Sequence, residues 1–456
     1  MNVREAIYRV MNMKGVAHTT LNPYGSGTVR IHLVPPKFSL KQTASSVAIL
    51  NGKDIIPINM AWAILLNTFI NEVNYYDGKE IAENEIEVIV EKTVQSVKKV
   101  YPKTSETKMK DDLWRIVRTL MDVAYGNEPS ENIGNMTLGE YASCMSAPHR
   151  MDLMISGMSR DGKWNCNQKC LHCYAAGQEQ AVVKELTTDE WKIILDKCKK
   201  IGIPQITFTG GEPTMREDLP ELINYAKWFV TRLNTNGVKL TKELCKKLYD
   251  ASLDSVQITL YSANEEEHNT LVGVKNFRYT VEGIKNAIEA GLNVSVNTPL
   301  CKINSNYLNT LKFLNELGVQ YVSCSGLIIT GNACHQESKS TQLSDGELYA
   351  ILKESVLYCA EQHMEISFTS PGWISEERLE LLGLAIPTCG ACLSNMAITP
   401  NGGVVPCQSW LSDKTLGNIL ENPWSSIWKS RKCQKIRNYA SSMKHDCPLN
   451  NKENSK

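Results

Sequence analysis

From Met151 onward, short apolar runs alternate with helical segments, and no other feature narrows the possible folds as much. The runs are Asp152–Ile155, Gln205–Thr209, Val230–Asn234, Ser255–Tyr261, Asn293–Thr298 and Gln320–Ser325. Between them lie segments such as Thr188–Gly202, Thr241–Leu253, Tyr279–Gly291 and Tyr307–Gly318. Thr187 and Glu190 stand at capping-box spacing. Gly202, Gly291 and Gly318 close helices where a left-handed cap is wanted. Short buried strands joined by crossover helices mean a parallel sheet, so residues 151–370 read as an α/β domain. In parallel α/β sheets ligands bind at the C-terminal strand ends.

The first strand end leads into Cys166-Asn167-Gln168-Lys169-Cys170-Leu171-His172-Cys173-Tyr174. A four-iron cluster needs four ligands, and thiolates are its usual protein ligands. Three thiols on one loop can hold three irons and leave the fourth open. Unconnected core cysteines are the plain alternative. The second strand runs into Gly210-Gly211-Glu212-Pro213, where glycines let backbone approach a ligand and the proline fixes the exit of the turn. The third ends in Asn234-Thr235-Asn236-Gly237. Gln257, Thr259 and Ser262 on the fourth, and Asn297 on the fifth, are polar groups in apolar strands and need partners.

The Cx3CxφC pattern resembles the signature of radical S-adenosylmethionine (SAM) enzymes, with His172 where an aromatic ring is usual and Tyr174 following. Gly210–Pro213 resembles that family's GGEP motif, and Thr235-Asn236-Gly237 its T-N-G strand end. The resemblance implies a partial (β/α)6 barrel and a [4Fe–4S] cluster held by Cys166, Cys170 and Cys173. SAM then chelates the open iron and is cleaved to a 5′-deoxyadenosyl radical, with the hard chemistry supplied by the cofactor. By the same resemblance Glu212 faces the SAM amino group, Thr235 and Asn236 lie beside the cofactor, and Gln257, Thr259 and Asn297 meet its hydroxyls and carboxylate.

A second cysteine set follows: Cys389-x2-Cys392-x14-Cys407, with Cys433 and Cys447 further on. Ala397–Thr399 and Gly403–Val405 form a hairpin around Pro400-Asn401-Gly402. The region, residues 371–456, resembles the SPASM or shorter Twitch extensions of radical SAM enzymes. It lacks their later cysteine pair with two intervening residues, so one auxiliary [4Fe–4S] cluster is expected, completed by Cys433 or Cys447. A four-cysteine zinc site is the competing reading. Trp410, Trp424 and Trp428 read as packing residues, as do Cys198, Cys245 and Cys359 on helices. Cys144 and Cys334 carry no clear role. Cys301 and Cys324 lie near strand ends, where a thiol could return hydrogen to a substrate radical as in the family's peptide epimerases, though core packing is the stronger expectation. His268 and His335 read as solvated loop residues.

Residues 1–125 read as an α+β unit. Gly27–Leu33 and Ser46–Leu50 are strand-like, Asn51-Gly52 is a hairpin turn, and Asp54–Asn59 returns as an edge strand because of Pro57. Helices are expected at Met60–Val73, Glu85–Tyr101 and Lys108–Ala124, with Ile86, Val90, Val94 and Val97 on one face of the second. A hairpin followed by three helices resembles the winged-helix domain with which peptide-modifying radical enzymes grip a leader peptide by strand addition. Residues 126–150 read as a linker.

Acidic and basic residues balance at 49 each, without blocks that would suggest nucleic acid or a membrane surface. Fifteen cysteines behind a charged N-terminus read as metal ligands and reduced thiols in a reducing cytoplasm. The expected function is SAM-dependent maturation of a ribosomally made precursor peptide by crosslinking, with epimerisation or backbone excision behind it. A flavodoxin or ferredoxin would supply electrons. The alternatives are radical modification of a small molecule such as a tetrapyrrole, and a non-catalytic iron–sulfur or zinc protein.

Overall fold

The computed structural model describes residues 13–450 apart from 14, 22–28, 39–42, 53, 77–80, 82, 130, 132–133, 135 and 143–144. Cys144 falls outside the described residues. The chain divides into two compact units, Met1–His149 with Lys197–Pro204, and Arg150–Asp196 with Gln205–Lys456.

In the first unit four strands, β1 (Ala17–Leu21), β2 (Val29–Val34), β3 (Ser46–Leu50) and β4 (Asp54–Ile58), form an antiparallel sheet in that order. Asn51 and Gly52 both take positive φ (49° and 70°), the geometry that a two-residue Asn-Gly hairpin turn requires. Pro57 is tolerated because β4 is an edge strand, lacking a sheet partner on its outer side. Helices Met60–Asn74, Glu83–Lys98 and Glu106–Ala124 follow. Asn59 caps the first by accepting from Trp62 N at 3.0 Å, and Ser105 caps the third. Val90, Val94 and Val97 point into the core, joined by Leu66, Ile70, Leu113 and Ile116, while Ile86 packs at its margin. Each such side chain contributes about 1.5–3 kcal/mol on burial. The element order matches the sequence expectation except for β1, whose mixed sequence AHTTL gives no apolar run.

In the second unit the six expected strands are β5 (Arg150–Ser156), β6 (Gln205–Gly210), β7 (Val230–Thr235), β8 (Ser255–Thr259), β9 (Val294–Pro299) and β10 (Tyr321–Ser325). They lie side by side in sequence order and all neighbours are parallel, as successive right-handed β/α crossovers produce. A seventh parallel strand, β11 (Glu365–Phe368), extends the sheet beyond β10. Its four residues are half polar and lie on the edge, so no apolar run announces it. Helix Thr188–Ile201 opens with the expected box: Thr187 N donates to Glu190 at 2.8 Å, and Glu190 N donates to Thr187 Oγ1 at 3.3 Å.

The C-terminal hairpin is real and is not a separate sheet. Strand β12 (Asn395–Ile398) pairs in parallel with β5 on the barrel's open side, and β13 (Gly403–Val405) and β14 (Gly417–Asn418) continue antiparallel from it. One ten-stranded sheet therefore carries both cysteine sets.

Candidate active site

The loop after β5 is fastened at every turn. Lys169 N and Leu171 N donate to Val272 and Leu271 carbonyls at 2.9 and 2.8 Å, at the end of helix Glu265–Val272. Asn332 N donates to Cys173 O at 2.9 Å and its side chain to Cys170 O at 3.0 Å. Ser338 Oγ donates to Leu171 O at 3.0 Å. These bonds satisfy the loop's backbone from outside and leave its thiols facing inward.

Cys166, Cys170 and Cys173 open on one cavity of about 640 Å³ inside the C-terminal end of the barrel. Burial pushes all three thiols up, Cys166 to about 12, and the Glu212 and Cys173 charges add to the rise at Cys166. Three mutually repelling buried thiolates are unstable alone; a bound polycation inverts that balance. His172 lines the same cavity; its Nε2 shares a 2.8 Å hydrogen bond with Thr341 Oγ1, and burial lowers its pKa to about 4, so it is a neutral ring there. Tyr174 lines it too, with burial raising its phenol.

Glycines 210 and 211 let two strand ends touch. Gly210 has φ +141°, and a Cβ there would overlap the Ser156 carbonyl oxygen. A Cβ on Gly211 would lie 2.8 Å from Gly157 O. The turn delivers Glu212 to the centre of a buried network. Its Oε1 accepts from Thr214 N at 3.0 Å, Thr214 Oγ1 at 2.6 Å and Thr235 Oγ1 at 2.6 Å; its Oε2 accepts from Asn236 N at 2.8 Å. Ser156 Oγ both accepts from Glu212 N (3.0 Å) and donates to its carbonyl (2.9 Å). Burial raises the Glu212 pKa against these bonds, which lower it. Asn236 Nδ2 in turn donates to Asn167 Oδ1 at 2.5 Å, tying the third strand end to the cysteine loop. Pro213 is buried under the turn and does not reach the cavity.

On the far wall Gln257 Nε2 donates to Ser323 Oγ (3.3 Å), which donates to Asn297 Oδ1 (3.0 Å). With Thr259 these line the same cavity. Ser323, Asn332 and Thr341 were not legible as site residues, because nothing local marks them. Buried Asn167 Nδ2, His172 Nδ1 and Thr207 Oγ1 have no hydrogen-bond partner among the described residues. Unsatisfied buried polar atoms around an inward-facing thiol triad fit a site shaped for a polar cofactor.

In the C-terminal region Cys389, Cys407 and Cys447 join one packed cluster with Trp410 and Leu449. Cys392, held at φ +58°, bonds to Cys433, which also accepts from Arg437 at 3.4 Å. The Arg437 guanidinium stacks 3.9 Å from the Trp428 ring centroid, and Trp424 stacks on Trp428, so these indoles pack the domain.

Cys198, Cys245 and Cys359 are buried on helices as expected. Cys301 and Cys324 are fully buried and absent from the cavity wall. His268 corrects the expectation of a solvated residue: it is fully buried, its Nδ1 accepting from Tyr261 N at 3.3 Å, and burial lowers its pKa to about 4. Its long-range packing against Phe277 overrides the polar sequence around it.

Residues 165–314 match the model of the radical SAM superfamily, and residues 389–450 match that of the SPASM iron–sulfur cluster-binding domain. The Fe-coproporphyrin III synthase of Methanosarcina barkeri is 38% identical over 291 residues, 58% of this chain and 72% of that protein. The chain belongs to the radical SAM superfamily.

A PqqA peptide cyclase of Streptomyces rochei is 25% identical over 269 residues, 57% of this chain and 72% of that protein. Streptococcus suis SuiB, solved with its precursor peptide SuiA, superposes with TM-score 0.58 at 14% identity, covering 89% of this chain and 93% of SuiB. This radical SAM enzyme therefore uses SAM with a [4Fe–4S] cluster, and the SPASM match decides for iron–sulfur over zinc at the second cysteine set. No helix among the described residues is long and apolar enough to cross a membrane.

Proposed function

We propose that this radical SAM enzyme matures a ribosomally made precursor peptide. The observation that carries the reading is the separately packed first unit. A small-molecule enzyme needs no such sheet, whereas a leader peptide can extend one by strand addition. Edge strand β4 offers little, since Pro57 lacks an N–H and Ile55 O already accepts from Met136 N at 2.9 Å. The opposite edge, β1, has no strand partner on its outer side among the described residues. It is the docking edge in this reading.

Cys166, Cys170 and Cys173 would hold the cluster, while Glu212, Thr235 and Asn236 would orient SAM at the mouth of the barrel. When bound, these groups supply a low-potential electron and an adenosyl radical that takes hydrogen from the substrate. The remaining chain excludes water and fixes the reacting partner, and a flavodoxin or ferredoxin would reduce it. Cys389, Cys392, Cys407 and Cys447 would hold one auxiliary cluster, because Cys447 packs with Cys389 and Cys407 whereas Cys433 meets only Cys392 and accepts from Arg437. Cys447→Ser is then expected to lower iron from about eight to about four per chain, and Cys433→Ser to leave it nearly unchanged; a matching loss in Cys433→Ser would reverse the assignment.

The test of the function is anaerobic reconstitution with SAM, reductant and candidate precursor peptides. The expected result is a mass change in one peptide together with 5′-deoxyadenosine. A chain lacking residues 1–149 should still cleave SAM but lose peptide affinity by about tenfold or more, the energy of a few strand hydrogen bonds. A second reading, modification of an iron tetrapyrrole, is favoured by the identity to the Methanosarcina synthase. Formation of iron-coproporphyrin III from an iron tetrapyrrole precursor by the full chain, with no peptide modified, would replace the first reading.

A further inference from the structure

Below the strand ends that carry the motifs lies a charged layer. Asp152 on β5, Thr207 on β6 and Arg232 on β7 are in register on neighbouring strands. Arg150, one pleat earlier on β5, lines the same cavity as Thr207 and Arg232. Two guanidiniums here face one carboxylate. Arg150 holds it, with Nε at 2.8 Å and a terminal nitrogen at 3.3 Å from Asp152. Arg232 is left over: among the described residues its one hydrogen bond runs from Nε to Ser255 Oγ at 3.3 Å.

One further polar group in the cavity wall is unsatisfied: Thr207 Oγ1 is buried without a partner among the described residues, in the position directly between Asp152 and Arg232. A buried hydroxyl without a partner costs free energy, and an arginine fork matches a carboxylate in two bonds. Solvent reaches Arg232 through the cavity, yet the protein around it and the Arg150 charge lower its pKa, so the cation gains from an added anion.

We infer that Arg232, beside the Arg150–Asp152 pair, binds a carboxylate of the substrate at the floor of the radical cavity. Arg232 lies three residues below Thr235, about 10 Å down the strand at 3.3 Å per residue. A substrate held there by its acidic group presents the adjoining part of its skeleton to the strand ends. The inference rests on the reading of this cavity as the radical site, and it selects an acidic side chain of a peptide as the group bound. A tetrapyrrole propionate offers the same chemistry, so the test has two arms.

The reconstituted full chain is titrated with a short glycine–serine peptide carrying one glutamate and with its glutamine counterpart. In parallel it is titrated with iron-coproporphyrin III and its tetramethyl ester. In at least one arm the acid should bind about tenfold or more tightly than its neutral partner, the worth of one charge-assisted pair. Arg232→Gln should reduce that ratio to within about twofold, and Arg232→Lys should keep only part of it, because a point charge replaces the two-bond fork. Iron content and the far-ultraviolet circular dichroism spectrum should match the parent in both variants, which shows that the fold is intact. Discrimination in the porphyrin arm alone leaves the anion site standing and overturns the peptide reading. Equal binding of acid and neutral forms in both arms, or discrimination that survives in Arg232→Gln, overturns the inference.

Discussion

Cys173→Ala is expected to abolish 5′-deoxyadenosine formation, by at least about a thousandfold, because a cluster with one thiolate missing on this loop has no replacement ligand nearby. His172, one residue away, is committed to Thr341, on a loop whose backbone is fixed by Asn332, Ser338 and Val272. The loop therefore cannot shift to offer another group. Iron should fall by about four per chain while the auxiliary site stays filled, a difference that chemical iron counting and the EPR spectrum of the reduced protein both register. Secondary structure should be unchanged, since the strands beneath draw their stability from residues such as Met151, Leu153 and Phe208. SAM cleavage persisting at the parent rate in this variant would remove the thiol triad from the chemistry.

The second large effect is expected at Glu212. Its two oxygens gather four donors from three residues, two of them backbone N–H groups that cannot turn elsewhere. Glu212→Ala orphans Thr214 N and Asn236 N in a buried setting, at about 1–3 kcal/mol each. A total of about 2–6 kcal/mol corresponds to a melting temperature lower by about 5–10 °C. Glu212→Gln is the sharper probe. Its carbonyl can keep the three donors on Oε1, but its amide then meets Asn236 N donor to donor. We expect SAM affinity to weaken about tenfold or more in both variants, and thermal unfolding to show the larger loss for alanine. If SAM binds both variants as it binds the parent, Glu212 only braces the strand ends.

Motifs that act through neighbouring residues were legible in the sequence. The spacing of Cys166, Cys170 and Cys173, the Gly210–Pro213 turn and the Asn51-Gly52 hairpin each depend on a few adjacent positions, and all adopt the geometry expected of them. The strand-end rule also carried further than spacing alone. Thr235 and Asn236, read as a strand end beside the cofactor, hydrogen-bond to Glu212 from more than twenty residues away.

What stayed hidden depends on which remote segments meet. Asn332 and Thr341 reach the cysteine loop from some 160 residues downstream with no local motif. His268 looks solvated among glutamates, yet the helix turns it inward between Tyr261 and Phe277. Arg232 stands in the run VTRLNT as a single cation, the one local sign that its strand faces something other than a hydrocarbon core.

Pairing of β12 with β5 has a consequence for biosynthesis. Strand β5 emerges early from the ribosome, but its partner on one side follows only 245 residues later (Arg150 to Asn395), a further half of the chain's length. Until then the barrel's first strand shows unsatisfied amides along a free border, the surface on which nascent chains associate wrongly. Closing a loop of that length also makes the last pairing the slowest. Chains stalled before Asn395 should thus be the aggregating species during expression, and chaperone demand should fall once the hairpin is complete.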